Sequence, residues 1–185
     1  MTAPAYPFTR ADKPRFPRLV AFEVARQLVA ALATSCERIE IAGSIRTTRP
    51  TLPPGEIFPI DAPVNLAREV IDGLLAGGVL DKRLNIAGVS SWGEKNKLAV
   101  HLASGIPVDL FATHRHSWWN YLVCRTGGAA TNTRIATSAQ ARGLKWHPYA
   151  DGFEDLGTGE IIRVRSEEEV FSTAGLKYLD PTERD

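Results

Sequence analysis

Cysteine is scarce in this chain: Cys36 and Cys124 are the only two in 185 residues. So far apart in sequence, they build neither a disulfide framework nor the close-spaced pairs of a zinc site. That usage suits a reducing compartment. No apolar run approaches the roughly 18 residues that a membrane-spanning helix needs, so no membrane partner is expected. The first residues carry Pro4, Pro7, Asp12 and Pro14 and lack the apolar centre of a signal peptide. The expected location is therefore the cytoplasm. Neither sign of charge is in excess, since 22 Lys and Arg against 21 Asp and Glu leave a net charge of +1. That balance neither requires nor excludes nucleic acid, because a basic face fits within a balanced total. Internal repeats and low-complexity tracts are absent as well.

What is present is a globular composition. Hydrophobic residues at 44% support a sizeable core, and 23% charged residues are ordinary for a soluble chain. The length fits one domain, or one with a small appendage. Residues 1–16 form a basic arm with Arg10, Lys13 and Arg15, read either as a solvated tail or as a phosphate contact. Val20, Val24, Leu28 and Leu32 recur at i+4 and predict a helix over 17–34. Ile39 and Ile41 alternate with Arg38 and Glu40, predicting a half-buried strand over 37–42. Prolines and glycine break up 47–63 and leave a short strand at 56–60. A helix over 64–75 follows, stopped by Gly77-Gly78.

The period then falls to two. Strands are expected at 79–86, around Leu98, Val100 and Leu102, and at 106–111, the last two joined through Ser104-Gly105. Ile106, Val108 and Leu110 form the buried face, which puts Asp109 on the opposite one. Helices over 114–125 and 129–142, strands at 144–149 and 160–164, and a last helix capped by Ser166-x-x-Glu169 complete the chain. The Trp118-Trp119 pair reads as core.

The chemistry-bearing stretch begins where the first strand runs into Gly43-Ser44-x-Arg46. A glycine lets backbone approach a ligand, a hydroxyl supplies a donor, and an arginine fork suits phosphate. A tight turn after a strand is the plainer reading of the same residues. Asp109 is either an isolated carboxylate paired with an arginine or a metal ligand. Lys82, Arg83, Lys95 and Lys97 with Trp92 make a basic-aromatic hairpin, either a DNA-backbone surface or a turn stabilised around Ser90-Ser91-Trp92-Gly93. His114, Arg115 and His116 are adjacent and look like a metal cluster only superficially.

Several of these pieces occur in the order of one family. Gly43-Ser44-x-Arg46, Ile106-Pro107-Val108-Asp109-Leu110, Thr126-Gly127-Gly128-Ala129-Ala130-Thr131-Asn132 and the tail from Ser166 to Arg184 together resemble the family X DNA polymerases, the polymerase β-like nucleotidyltransferases. The resemblance covers roughly residues 37–185. It implies an α/β (α+β) fold, a nucleotidyltransferase palm with a mixed sheet flanked by helices plus a small C-terminal thumb. The division expected is a palm over 1–125 and a thumb-like region over 126–185. A chain of this length is expected to be a minimal palm-plus-thumb form and a monomer.

The resemblance also implies a chemistry. In-line attack of a DNA 3′-hydroxyl on the α-phosphate of a dNTP, with loss of pyrophosphate, rests on positioning and on two metal ions about 4 Å apart. Mg²⁺, or Mn²⁺ in its place, wants hard oxygen ligands. The family supplies an acidic pair at i and i+2 on one strand, which places both on one face, and a third acid on the adjacent strand. Asp109 matches the third acid. With Gly55 matching the glycine before the pair, Glu56 falls at the first acid position and Phe58 at the second. Asp61, at i+5 from Glu56, would lie roughly 16 Å away along a continuous strand and enters only if Pro59 bends the chain.

The expected site is thus Asp109 and Glu56 as catalytic acids, with Asp61 as a further metal candidate. Gly43, Ser44, Arg46, Gly55, Thr126, Gly127, Gly128 and Asn132 would hold the nucleotide. Arg134, Arg142, Lys95 and Lys97 would contact primed or gapped DNA. Asn132 reads either as a donor to the base's minor-groove edge or as a helix cap. Thr47 replaces a second basic residue of the Gly-Ser loop. The expected function is that of an enzyme, a DNA polymerase X-like nucleotidyltransferase adding dNMP to a DNA 3′-hydroxyl; the broken acidic pair leaves as alternatives a nucleotide- or DNA-binding module that lost transfer and a nucleotidyltransferase acting on a non-DNA acceptor.

Overall fold

The computed structural model describes residues 15–47, 51–52, 55–60, 64–85 and 87–184, with backbone alone over 51–52, 55–60 and 64–66. The chain divides into two compact units, Met1–Ala112 and Thr113–Asp185. It is an α+β fold.

In the first unit, β1 (Phe16–Pro17) pairs with β3 (Thr51–Leu52) beside α1 (Arg18–Leu32). β2 (Arg38–Ala42) runs into the one-turn helix α2 (Gly43–Arg46). β4 (Gly55–Ile60), α3 (Val64–Ala76), β5 (Leu80–Lys82), β6 (Asn96–His101) and β7 (Ile106–Phe111) follow. Five strands form a mixed sheet in the order β2-β4-β7-β6-β5. β4 and β7 are parallel and the other neighbours antiparallel. β7 is central, and every residue of it except Asp109 is buried.

One face of the sheet makes the core. Ile106, Val108 and Leu110 of β7, with Ala99 and Leu80, pack against Val24, Leu28 and Leu32 of α1 and Ile71 of α3. Burying side chains of this size contributes about 1.5–3 kcal/mol each. α1 departs from the expected stripe at Val20, which is 46% exposed. A strict i+4 series drifts about 40° per step around a helix of 3.6 residues per turn. The buried stripe is therefore completed by Ala21 and Ala25. On β6, Ala99 supplies the core contact, and Leu102, one residue past the strand, lies 49% exposed.

The strand expected over 79–86 shortens to Leu80–Lys82. Asn85 is the cause, because its Oδ1 accepts from the N–H groups of Ala87 and Val89 at 2.9 and 3.0 Å. That side-chain turn competes with the ladder. Gly78 (φ 68) closes α3, and Gly105 (φ 68) completes the β6–β7 connection by donating to the His101 carbonyl at 2.8 Å.

The second unit holds α4 (Trp118–Thr126), α5 (Ala129–Ala141), β8 (Leu144–Trp146), β9 (Phe153–Asp155), β10 (Ile161–Ile162) and α6 (Glu167–Thr173). The three strands make an antiparallel sheet in the order β10-β9-β8. Its core joins Val123, Ile135, Ala139, Phe153, Val170 and Phe171, with Trp119 packed against it. Trp118 is buried, and its ring meets that of Trp119 edge-on at 6.3 Å. β8 stops before Pro148, which has no N–H for a ladder. Ser166 caps α6 by accepting from the Glu169 N–H at 3.1 Å. The reciprocal arm of the box is displaced: Glu169 Oε2 accepts from the N–H of Arg165 instead of Ser166, at 2.7 Å.

Candidate functional site

The backbone register places the expected acids in one row. Ala42 of β2 pairs with Glu56 of β4, and Glu56 pairs with Asp109 of β7. Asp109 in turn pairs with Leu98 of β6. Glu56 and Asp109 therefore stand level on adjacent strands, one position from the Gly43 corner. Phe58 follows two residues along β4, facing Glu40 in the register. Asp61 lies outside the described residues.

At the corner, Gly43 takes φ 64, a left-handed conformation that suits glycine. The chain then folds at once into α2, held by the Thr47 N–H to the Gly43 carbonyl at 3.1 Å and the Thr47 hydroxyl to the Ser44 carbonyl at 3.3 Å. Thr47, at the position of a missing basic residue, is buried and serves this turn. The Ser44 hydroxyl is buried and has no hydrogen-bond partner among the described residues. A buried hydroxyl left unpaired costs about 1–3 kcal/mol, so a site of this kind calls for a partner. Arg46 is half-buried on the same turn.

Asp109 meets a cation from within the chain. Nη2 of Arg83 donates to Asp109 Oδ1 in an ion pair whose side chains are 9% and 17% exposed. Arg83 comes from the end of β5, its N–H donating to the Leu98 carbonyl at 3.0 Å. Its guanidinium thus spans β6 at the level of Leu98 to reach β7, and Nη1 also donates to the Leu84 carbonyl at 3.3 Å. Of the two readings of Asp109, a carboxylate paired with an arginine is the observed state. Among the described residues, no three His, Cys, Asp or Glu side chains gather closely enough to hold a metal ion. Of the expected metal ligands, Asp109 is the one whose side chain is described, and it is paired with a guanidinium.

The hairpin cations are largely engaged as well. Lys82 Nζ sits 4.9 Å from the centroid of the Trp92 ring. Lys97 Nζ donates to the Gly93 carbonyl at 2.7 Å, and the Gly93 N–H donates to Asn96. Lys97 pairs with Leu110 across the ladder, so it lies on the core face, away from Asp109. Burial holds its ammonium below the usual lysine range, and Arg68 of α3 adds to that shift. Lys95 remains exposed. These contacts stabilise the turn around Trp92.

In the second unit, Thr126 ends α4, and Gly127 and Gly128 form the turn into α5. The Gly127 N–H donates to the Val123 carbonyl at 2.8 Å, and a Cβ at Gly127 would come within 3.2 Å of Asn132 Oδ1, Thr131 Cγ2 and the Val123 carbonyl. Asn132 Nδ2 donates to the Cys124 carbonyl at 2.9 Å, tying α5 to α4, while its buried Oδ1 has no partner among the described residues. Arg125, next to this turn, lies 5.3 and 5.1 Å from the ring centroids of Tyr121 and Tyr149. Arg134 and Arg142 are exposed, and Arg142 lies across Gly175, where a Cβ would meet its guanidinium at 2.9 Å.

Arg83 is the residue that sequence reasoning misplaced. Its spacing put it with the hairpin cations, whereas its contact depends on the registers of β5 with β6 and β6 with β7, which no local pattern encodes.

The fold defines the class: an α+β chain with a five-stranded mixed sheet in the first unit and helices with a three-stranded antiparallel sheet in the C-terminal unit. Residues 121–185 match the family model of the DNA polymerase beta thumb. That match, confined to the C-terminal part of the chain, supports a family X polymerase-like, thumb-containing form with a polymerase-related role. No curated protein matches the chain. No helix among the described residues is long and apolar enough to cross a membrane.

Proposed function

We propose that this protein binds a deoxynucleoside triphosphate together with primed or gapped DNA, as a polymerase β-like palm and thumb. The observation that carries the reading is the Ser44 hydroxyl, buried without a partner among the described residues at the left-handed Gly43 corner. A phosphate oxygen is the strong acceptor such a donor lacks, and a hydrogen bond to a charged oxygen contributes about 1.5–3 kcal/mol. Arg46 on the same turn adds a cation, and the thumb match supports the DNA half of the reading.

A second reading adds transfer of dNMP to the DNA 3′-hydroxyl. It is favoured by the register that sets Glu56 level with Asp109, one position from Gly43. Mg²⁺ or Mn²⁺ would supply charge neutralisation for that transfer. Its ligands would have to include Glu56 and Asp109, with Asp61 as a further oxygen donor.

One set of measurements tests both. Incorporation of a single labelled dNTP onto a one-nucleotide-gap DNA is followed in Mg²⁺ and in Mn²⁺, beside Asp109→Asn, with dNTP binding measured by calorimetry. Binding without extension supports the first reading. Extension that Asp109→Asn abolishes establishes the second. Absence of dNTP binding overturns both. DNA affinity that falls steeply with salt, through counterion release, supports a DNA acceptor; a flat response points to a non-DNA acceptor.

A further inference from the structure

We infer that Arg83 is the resident cation of Asp109, so that a protein-borne charge stands where a divalent ion would and the carboxylate is withheld from metal in the free protein. The pair is built in. Arg83 is anchored through its backbone to Leu98, donates through Nη1 to the Leu84 carbonyl, and reaches Asp109 through Nη2. Its side chain is 9% exposed, and that of Asp109 is 17% exposed. At this burial salt and water screen the pair weakly. A divalent ion approaching Asp109 meets a nearly neutralised carboxylate and a guanidinium that repels it at short range. Displacing that guanidinium would leave a buried charge without its counter-ion, and breaking such pairs is strongly unfavourable. Arg83 lies one residue past the end of β5, and β6 alone separates β5 from β7.

The inference rests on the proposed palm only for choosing Asp109 as the metal position, so its test uses Mn²⁺ alone, without nucleotide or DNA. Free Mn²⁺ is read by electron paramagnetic resonance during titration of the whole protein. Wild type and Asp109→Asn are expected to bind Mn²⁺ alike. Folded Arg83→Gln is expected to gain a site at least about tenfold tighter than any in wild type. Adding Asp109→Asn to that variant removes the gain. Mn²⁺ binding by wild type that Asp109→Asn abolishes would overturn the inference, as would a folded Arg83→Gln with no gain. If Arg83→Gln does not fold, Arg83→Lys keeps a cation at the position and is expected to bind Mn²⁺ as wild type does, and the comparison of wild type with Asp109→Asn still decides. A failure of dNTP binding would sink the proposed function and leave this result standing.

Discussion

Arg184 closes on Glu167 at the first turn of α6, with Nη1 donating to Oε1 at 3.0 Å and Nη2 to Oε2 at 3.5 Å. The same guanidinium donates to the Leu179 carbonyl through Nε and Nη2 at 3.0 and 2.9 Å. It also lies 5.2 and 5.4 Å from the ring centroids of Phe171 and Tyr178. Its side chain is fully buried, and only 6% of the Glu167 side chain is exposed. One residue thus ties the tail to a helix and to two aromatic rings.

Removing one partner of such a pair strands the other charge in a dry site. Arg184→Ala is expected to destabilise the second unit by about 3–5 kcal/mol, whereas Arg184→Met with Glu167→Leu should recover much of that loss. Urea unfolding followed by tryptophan fluorescence measures both. A single-variant cost below about 1 kcal/mol, the range of exposed pairs, would show the contact to be a surface one.

Gly152 sets a second test, of backbone rather than charge. It takes φ 86, and a Cβ there would fall 2.0 Å from the Ile162 carbonyl oxygen. Gly143 has a similar φ of 74 but open space around it. Alanine at Gly143 should cost the left-handed penalty alone, about 1–2 kcal/mol. At Gly152 the β9–β10 pairing must also shift, so the loss should be clearly larger. Equal losses at the two sites would refute the steric argument.

Much of this architecture is legible in local sequence. The i+4 apolar residues of α1, the alternation at Ile39 and Ile41, Gly77-Gly78 and Ser166 each name their element, because period and capping are short-range properties. The second unit's core also follows from the density of Trp118, Trp119, Tyr121 and Leu122. What local sequence does not carry is register. Glu56 facing Asp109, and Arg83 reaching Asp109 across β6, depend on which residues of distant strands lie level. For the same reason Lys97 reads as a surface cation from its neighbours but lies on the core face once paired with Leu110.

Tyr149 gives the second unit a pH dependence with a definite sign. Burial first, then the hydrogen bond with Cys124, pushes its phenol from an ordinary value near 10.0 up to about 12, although 56% of the residue is exposed. The unfolded chain therefore loses this proton before the folded one does. Stability tied to the group is fully present below pH 10 and is lost as pH rises from 10 toward 12. Phenolate absorbance should show one tyrosine titrating near pH 12, missing in Tyr149→Phe, and that variant should unfold less steeply with rising pH. A tyrosine complement that titrates entirely near 10 would contradict the assignment.

Ser44 separates a structural role from a binding one. Its buried hydroxyl gives nothing to the fold, since no described residue accepts from it. Ser44→Ala should leave stability unchanged or raise it, by up to about the 1–3 kcal/mol that an unpaired buried hydroxyl costs. Ser117 is the matched control: its hydroxyl donates to Asp151 Oδ1 at 2.7 Å, so Ser117→Ala should destabilise. If the Ser44 hydroxyl meets a phosphate oxygen, Ser44→Ala should also weaken dNTP binding by about tenfold to a hundredfold, the range for a hydrogen bond to a charged group. Calorimetry with dNTP and urea unfolding on the same three proteins decide it. Unchanged affinity in a folded Ser44→Ala would remove the residue that carries the proposed nucleotide site, whereas lost affinity with intact stability would separate that site from the scaffold that holds it.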